Sequence, residues 1–390
     1  MKETADVIVV GAGVQGASLA FHLARRGVRV LIVERATVAA GATGRSSGFV
    51  RMHYDLRTDA QLAWTSFPYF QRWSEIVGEG DCGFVRTGFL QLFPAELEGA
   101  LRANVAMQQG LGIDTGVVDA VDVARLVPGA ATDDITAAAY EPLSGYADPS
   151  GTAAGFLAAA RREGARLVQG CRAIAVVVGG EVVTGVATDR GTFHAPVVVN
   201  VAGAWAAEIA QSAGVIVPVQ AWRHDTAYFG LPDGRSTDFP IVIDEMNQVY
   251  FRPEGSGSML VGLEGGNEVG GSPDRPMLHL GEDVVEEMVT RVCTRVPWME
   301  AGTLRSGHGG QDGITPDQHA ILGRAGPDGF YLACGFSGTG FKTAPAIGMC
   351  LTELILDGGS TTVDISGYAL ERFAAGRSLV GEYPYGRLWR

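Results

Sequence analysis

The sequence predicts an α/β fold in which a Rossmann-like domain is joined to a second α+β domain built on an antiparallel or mixed sheet. Three observations carry this expectation. Residues 6–34 read as a βαβ unit with a glycine-rich turn, the order strand, glycine turn, helix start recurs twice later in the chain, and several short strands crowd residues 217–264.

The first unit begins with the apolar run Asp6-Val7-Ile8-Val9-Val10, turns through Gly11-Ala12-Gly13-Val14-Gln15-Gly16, and continues as a helix to Gly27. A second strand, Val28 to Val33, ends on Glu34, about 20 residues after the glycines, the spacing of a dinucleotide fingerprint. Gly11 permits a tight turn, Gly13 lets backbone approach a pyrophosphate, and Gly16 lets helix and strand pack closely. The helix N-terminus offers unpaired N–H groups to the anion. Glu34 would take ribose hydroxyls and disfavours a 2′-phosphate, but the unit by itself fits NAD and FAD equally.

The chain has 390 residues, 46% of them apolar, enough for two domains with full cores. Its net charge of −13 is dispersed, which argues against nucleic acid or an anionic membrane as partner. An anionic small substrate would need a local cationic clamp. Cys82, Cys171, Cys293, Cys334 and Cys350 show no disulfide or metal spacing and read as core residues of a reducing compartment. The first strand starts too near Met1 for a signal peptide, and no apolar run reaches the ~20 residues of a membrane span, so a cytoplasmic location is expected.

Next comes Gly41-Ala42-Thr43-Gly44-Arg45-Ser46-Ser47-Gly48-Phe49-Val50-Arg51-Met52-His53-Tyr54, a small-residue loop able to wrap a flat ligand, with Arg45 and Arg51 as fork-like donors. Thr58 to Trp73 has helical spacing. Residues 83–144 change character, with a strand at Phe89–Phe93, a helix from about Pro94 to Gln109 and an acidic patch from Asp114 to Asp134. The Ala-rich helix 151–163 is expected to be capped by Asp148 or Ser150. Three β-rich runs, 173–178, 181–188 and 192–200, lead into the turn Ala202-Gly203-Ala204-Trp205, a second candidate backbone contact to the cofactor.

Strands are expected at 217–229, 241–243, 249–252 and 259–263, the last two joined by the turn Pro253 to Gly257. A helix over 282–296 puts Val285, Met288, Val289 and Val292 on one face. A glycine-rich loop, Gly302 to Gly313, precedes Thr315-Pro316-Asp317, a strand from Gly329 to Cys334, the turn Gly335-Phe336-Ser337-Gly338-Thr339-Gly340-Phe341-Lys342, and a helix reaching about Leu356.

Together the motifs at 7–34, 41–54, 145–164, 198–205, 315–323 and 329–342 resemble the D-amino-acid oxidase-like FAD oxidoreductases, within them the sarcosine oxidase and glycine oxidase branch. The resemblance covers nearly the whole chain and implies FAD. It implies an FAD domain formed by residues 1–82, 145–218 and 306–376, a substrate domain formed by 83–144 and 219–305, and a C-terminal tail at 377–390. Cofactor contacts are implied for Gly11, Gly13, Gly16, Glu34 and Arg35, and for Thr43, Gly44, Arg45, Ser46 and Ser47 of the wrapping loop. They are further implied for Ala173, Ala202, Gly203, Trp205 and Gly310, and for Gly335, Gly338, Thr339, Gly340, Phe341 and Lys342.

Arg51 falls where the branch has an arginine that binds the substrate carboxylate, Lys342 on its partnering lysine, and Tyr250 on an active-site tyrosine. With His53 these are the expected catalytic residues, although His53 reads equally as a packed loop residue. Four departures from the branch are informative. Gly310 stands where covalent members carry the flavin-linking cysteine, which implies noncovalent FAD. Leu260 replaces a lysine tied to oxygen reactivity, while Glu264 and Thr339 replace histidines. The implied reaction removes a hydride equivalent from the carbon bearing the amine and delivers it to flavin N5, leaving an imine that hydrolyses. A helix starting near Ala344 would aim its positive end at 335–342. Tyr250, His53 and Glu264 are candidates for tuning the amine, Glu264 also for holding a cationic substrate group, and His308 for a flavin-adjacent role. The implied substrate is a small secondary or N-methyl amino acid with a free carboxylate, and the acceptor is O2 or a partner protein. A D-amino-acid oxidase, a flavin subunit of a heteromeric dehydrogenase, a noncatalytic FAD-binding protein and self-association all stay open.

Overall fold

A computed structural model describes residues 4–255, 257–265, 267–275 and 280–386. The strand Val7–Val10 lies inside a six-stranded sheet, ordered Ile321–Arg324, Phe330–Cys334, Val197–Asn200, Val7–Val10, Val30–Val33, Arg166–Val168. All pairings are parallel except that of Ile321–Arg324, which runs antiparallel along one edge. Such strands are covered on both faces, which is why Val7–Val10 and Val30–Val33 are continuous apolar runs and wholly buried. On one face lie the helices Val14–Arg25, Pro149–Arg162 and Gly340–Asp357, which share a core with Val7, Val9 and Ile32. The first and last pack closely enough for the Ser18 hydroxyl to donate to the Ala344 carbonyl at 2.7 Å. On the other face, Ile8 and Val10 meet Val176, Val186 and Phe193 of a three-stranded antiparallel sheet, together with the helix Ala206–Ser212.

The second sheet has eight strands in the order Thr303–Ile314, Gln220–Gly230, Ser258–Leu263, Val249–Glu254, Ile241–Asp244, Phe89–Leu92, Ala138–Glu141, Gly116–Val118. It is mixed, because Ile241–Asp244 runs parallel to Phe89–Leu92 while the other neighbours are antiparallel. Alternation divides its faces. Leu92, Val242, Phe251 and Val261 pack with Met288 and Val292 of the helix Glu282–Arg295, whereas Phe89, Ile241, Ile243, Tyr250 and Leu260 pack with Phe49 on the opposite face. That second face looks toward the glycine turns.

Several expectations are corrected. Gly302–Gly313, read as a loop, is mostly the long strand Thr303–Ile314. Its glycines are not turn signals but clearances: a Cβ on Gly310 would stand 2.9 Å from the Arg45 side chain, and one on Gly307 2.3 Å from Leu280. The run 192–200 splits at Pro196, giving Gly191–His194 to the small sheet and Val197–Asn200 to the parallel one. The last long helix begins at Gly340 rather than near Ala344, placing Lys342 in its first turn. Asp148, not Ser150, caps the Ala-rich helix, its carboxylate accepting from Ser150 N at 2.9 Å. Ser256, in the turn expected between two strands, lies outside the described residues.

Residues 377–386 return to the body of the protein. Tyr385 N–H donates to Asp55 at 3.3 Å, and the Tyr385 ring lies 4.4 Å from that of Phe93. The mixed sheet is tied to its covering helix by Arg295, whose Nε donates to buried Asp244 at 2.6 Å and whose terminal nitrogens donate to Asp134. Removing one partner of a buried pair strands the other charge, so Arg295→Ala is expected to destabilise the fold by about 3–5 kcal/mol, read by denaturant unfolding. A loss below about 1 kcal/mol, the value of an exposed pair, would show that Asp244 is rehydrated.

Candidate active site

A cavity of about 800 Å³ runs between the two sheets. One end is formed by Gly11, Gly13, Glu34, Arg35, Ala173 and Ala202, with Gly203 and Trp205 beside them. Its middle is lined by Thr43, Arg45, Ser46 and Ser47, and its far end by Gly310, Gly338, Gly340, Phe341, Lys342 and Tyr250. Eighteen expected residues, from four separate stretches of the parallel-sheet part and two strands of the mixed sheet, are thus on one wall system.

The local geometry follows from the turn. Gly11 has φ +113°, and a Cβ there would meet the Val201 carbonyl oxygen at 2.6 Å. Gly203, φ +56°, would put a Cβ into space with no protein atom within 4 Å, on the cavity wall. The Glu34 carboxylate accepts from Ala12 N at 2.9 Å and Ala36 N at 2.8 Å, which holds it at the strand end. Arg35 lies over the Trp205 ring at 3.9 Å. The dimensions, the glycine clearances and an acid beside the first turn fit the ADP half of FAD, with Thr43, Arg45, Ser46 and Ser47 lining the cavity farther along.

Four expected cofactor residues are off the wall and act on the backbone instead. A Cβ on Gly16 would lie 2.1 Å from the Gly11 carbonyl oxygen, and one on Gly44 2.5 Å from that of Ala39. Gly335 turns at φ +67° against Thr315, and the Thr339 hydroxyl donates to the Phe336 carbonyl at 2.7 Å.

Lys342 lines the far end and Arg51 is off the cavity wall, but both approach the same ring, Tyr54, at 5.8 Å and 4.5 Å respectively. Arg51 is 1% exposed and is also 5.3 Å from Phe89. Its Nη1 donates to the His53 carbonyl, whereas Nε and Nη2 have no protein acceptor. Lys342 Nζ donates to the Gly338 carbonyl at 3.1 Å, and burial holds its ammonium well below the usual value. Tyr250 lies over Gly262, where a Cβ would be 2.1 Å from the ring, and its hydroxyl shares a hydrogen bond with Thr226. Burial pushes that phenol up to about 12.

His53 sits behind this group rather than on the cavity wall. Its ring nitrogens are 2.9 Å from Gln108 Oε1 and 2.8 Å from the Tyr385 hydroxyl, and burial pushes it down to about 3. It is a neutral packed ring whose carbonyl serves Arg51. His308 likewise lies off the wall, 3.5 Å from the Tyr228 hydroxyl.

The sequence reading missed four carboxyls here. Asp312 accepts from Gly338 N at 2.8 Å and Gly313 N at 2.7 Å, pinning the last glycine turn. Glu141, wholly buried, accepts from Met52 N at 3.0 Å and Ser144 Oγ at 2.6 Å, fixing the loop that carries Arg51. Asp244 anchors Arg295, and Glu245 accepts from Gln91 Nε2 at 2.5 Å. Spacing could not reveal them, because each also holds a group far away in the sequence: Gly338, Met52, Arg295 and Gln91 respectively.

Glu141 also carries a pH signature. Burial raises it from 4.5 to about 7. The folded state therefore keeps a proton that the unfolded chain releases, and the resulting stability is complete below about pH 4.5 and lost as pH rises through about 7. Glu141→Gln should become more stable relative to the parent across that interval. A Tm difference that is the same at both ends would contradict the assignment.

Among the described residues no helix is long and apolar enough to cross a membrane, and no group of three or more His, Cys, Asp or Glu side chains is placed to hold a metal. A parallel sheet carrying a dinucleotide cradle, with a mixed sheet closing over its open end, defines a two-sheet flavin-dependent oxidoreductase. The FAD dependent oxidoreductase model, DAO, matches residues 6–354, and the chain belongs to that family. It is 30% identical to bovine FAD-dependent oxidoreductase domain-containing protein 1 over 96% of this chain and 86% of that one. It is 29% identical to human mitochondrial sarcosine dehydrogenase over 96% of this chain, while spanning 42% of the length of that relative. The crystal structure of L-proline dehydrogenase from P. horikoshii superposes with a TM-score of 0.90 at 25% identity, covering 97% of this chain and all of that one.

Proposed function

We propose that the protein oxidises the C–N bond of a small amino acid that bears a secondary or N-methylated amine and a free carboxylate. The observation that carries this is Arg51, a buried guanidinium with two unused donors that meets the same Tyr54 ring as the cavity-lining Lys342, although it does not itself line the cavity. Unpaired buried donors are costly, and a planar carboxylate satisfies two of them at once. Sarcosine and proline, after which two of the similar proteins are named, are both secondary amino acids.

When bound, FAD supplies the acceptor for the hydride equivalent taken from the carbon next to nitrogen. Arg51 holds the carboxylate. Lys342, whose charge burial disfavours, is favoured in its charged form beside the incoming anion and would fix the second oxygen. Tyr250, seated over Gly262, limits how the α-carbon can turn. With two groups fixed, the reacting C–H has one orientation, and the imine formed is released to water and hydrolysed. The positive end of the helix Gly340–Asp357 lies at the same end of the cavity and favours negative charge there.

FAD is held noncovalently in this reading: Gly310 stands at the position of the linking cysteine, and no cysteine lines the described cavity. A second reading has a specific observation behind it. Leu260, wholly buried against Tyr250 and Phe49, offers no cation to an oxygen molecule, which favours a dehydrogenase that passes electrons to a partner protein. Anaerobic bleaching of the holoenzyme by N-methyl, cyclic and D-amino acids, followed by admission of air, tests both. Bleaching by secondary amino acids with slow reoxidation is expected. Selective bleaching by D-amino acids with primary amines would replace the substrate assignment, and fast reoxidation would make the protein an oxidase.

A further inference from the structure

Beyond Arg51, the face of the mixed sheet that carries Tyr250 ends in two acids. Alternation along Ser258–Leu263 puts Glu264 on the same side as Leu260 and Gly262, and alternation along Ile241–Asp244 puts Glu245 on the side of Ile241 and Ile243. Gln91, which accompanies Phe89 on that face, donates to Glu245 at 2.5 Å. Glu264 is 8% exposed. Its backbone N–H donates to the Gln248 carbonyl at 3.0 Å, but among the described residues its two oxygens have no partner apart from the facing Glu245 carboxyl. Arg51, equally buried, leaves two donors unused, and no ion pair among the described residues joins it to either acid.

We propose that Glu264 and Glu245 form a side-chain subsite selecting amino acids whose side chain ends in an ammonium or guanidinium group. This rests on the amino-acid oxidoreductase reading above, in which Arg51 takes the α-carboxylate. A ligand with an anion at one end and a cation at the other fills both sets of unpaired atoms: two donors on Arg51 and two acceptors on Glu264. A ligand with an alkyl side chain satisfies Arg51 but offers the acid pair nothing beyond the proton its two carboxyls share, so the cationic ligand is favoured by the charge-assisted bonds it alone forms.

The chemistry of the pair suits this task. Burial pushes Glu245 up to about 7 and holds Glu264 well above the usual carboxylate range, the neighbouring Glu245 carboxyl raising Glu264 further. Without ligand the pair keeps a shared proton. An entering cation replaces that proton, so the site is satisfied in both states and discriminates without a permanent unpaired charge. Gln91 fixes the Glu245 oxygen nearest the sheet, which leaves Glu264 as the group that meets the ligand.

The test compares Nα-methyl-lysine with Nα-methyl-norleucine, which share a backbone and chain length and differ in the terminal cation. In the holoenzyme the ratio of their kcat/KM values, from anaerobic bleaching, is expected to favour the lysine compound by at least about tenfold, roughly 1.4 kcal/mol. In Glu264→Gln and in Glu245→Gln the ratio is expected to fall to about unity. A second readout needs no turnover: lysine should raise the Tm of the parent more than norleucine does, and the difference should vanish in Glu264→Gln. A ratio near unity in the parent, or one unchanged in the variants, overturns the subsite. So does an equal loss on both substrates, since the pair would then handle the amine they share. If neither compound bleaches the flavin, the parent reading fails, and the Tm comparison still decides whether the acids hold a cation.

Discussion

Arg51→Ala raises KM for a secondary amino acid by about 100- to 1000-fold. Each hydrogen bond to a charged group contributes about 1.5–3 kcal/mol, and taken near the low end the two unused donors together are worth about 3–4 kcal/mol, which corresponds to that range. The guanidinium stays where it is for reasons outside the cavity: its own Nη1 donates to the His53 carbonyl, Gln108 and Tyr385 hold the His53 ring, and Gln108 Nε2 also donates to the Tyr54 carbonyl at 2.9 Å. Arg51→Lys keeps the charge and loses the fork, so it should recover only part of the affinity. A KM within about threefold of the parent in Arg51→Ala, well under the value of one such bond, would remove Arg51 from substrate binding.

Gly16→Ala should lose flavin. The added Cβ would stand 2.1 Å from the Gly11 carbonyl oxygen and 3.3 Å from Val9, so the turn must open at the point where it meets the pyrophosphate. Overpacking of a tight contact costs about 1–3 kcal/mol, about 10- to 100-fold in FAD affinity if the strain is relieved by opening the turn. Gly99→Ala, where a Cβ meets nothing within 4 Å, is the control and should load normally. Equal loading in the two variants would mean that the first helix shifts without disturbing the cradle. Flavin absorbance per protein, measured after dialysis, reads the difference.

The cradle was legible because its signals are local. The glycines at 11, 13 and 16, the apolar strand before them and Glu34 after them lie within one short stretch, and each has a steric or electrostatic duty that no bulkier or uncharged residue performs. The proposed carboxylate clamp rests on resemblance rather than spacing, since nothing in the positions of Arg51 and Lys342 along the chain brings them to Tyr54. What stayed hidden depends on pairings between distant strands. The parallel contact between Ile241–Asp244 and Phe89–Leu92 carries Gln91 to Glu245, and that pairing turns an unremarked acid into part of a buried pair. The strand Thr303–Ile314 was mistaken for a loop because its glycines answer to Arg45 and Leu280, neighbours the sequence does not place beside it. His53 drew notice as a titratable group near Arg51, yet its role is set by Gln108 and Tyr385, which come from a helix and from the C-terminal segment.

The most direct measurement of the central claim is anaerobic reduction of the holoenzyme by a secondary amino acid and by its carboxamide. The carboxamide keeps the amine and the reacting C–H and removes the anion that Arg51 and Lys342 are placed to hold. Saturable bleaching by the acid, with an apparent affinity for the amide weaker by about 100-fold or more, is the result expected from losing a charge-assisted pair of bonds. Bleaching by the amide at equal concentration dependence, or no bleaching by any amino acid, would contradict it.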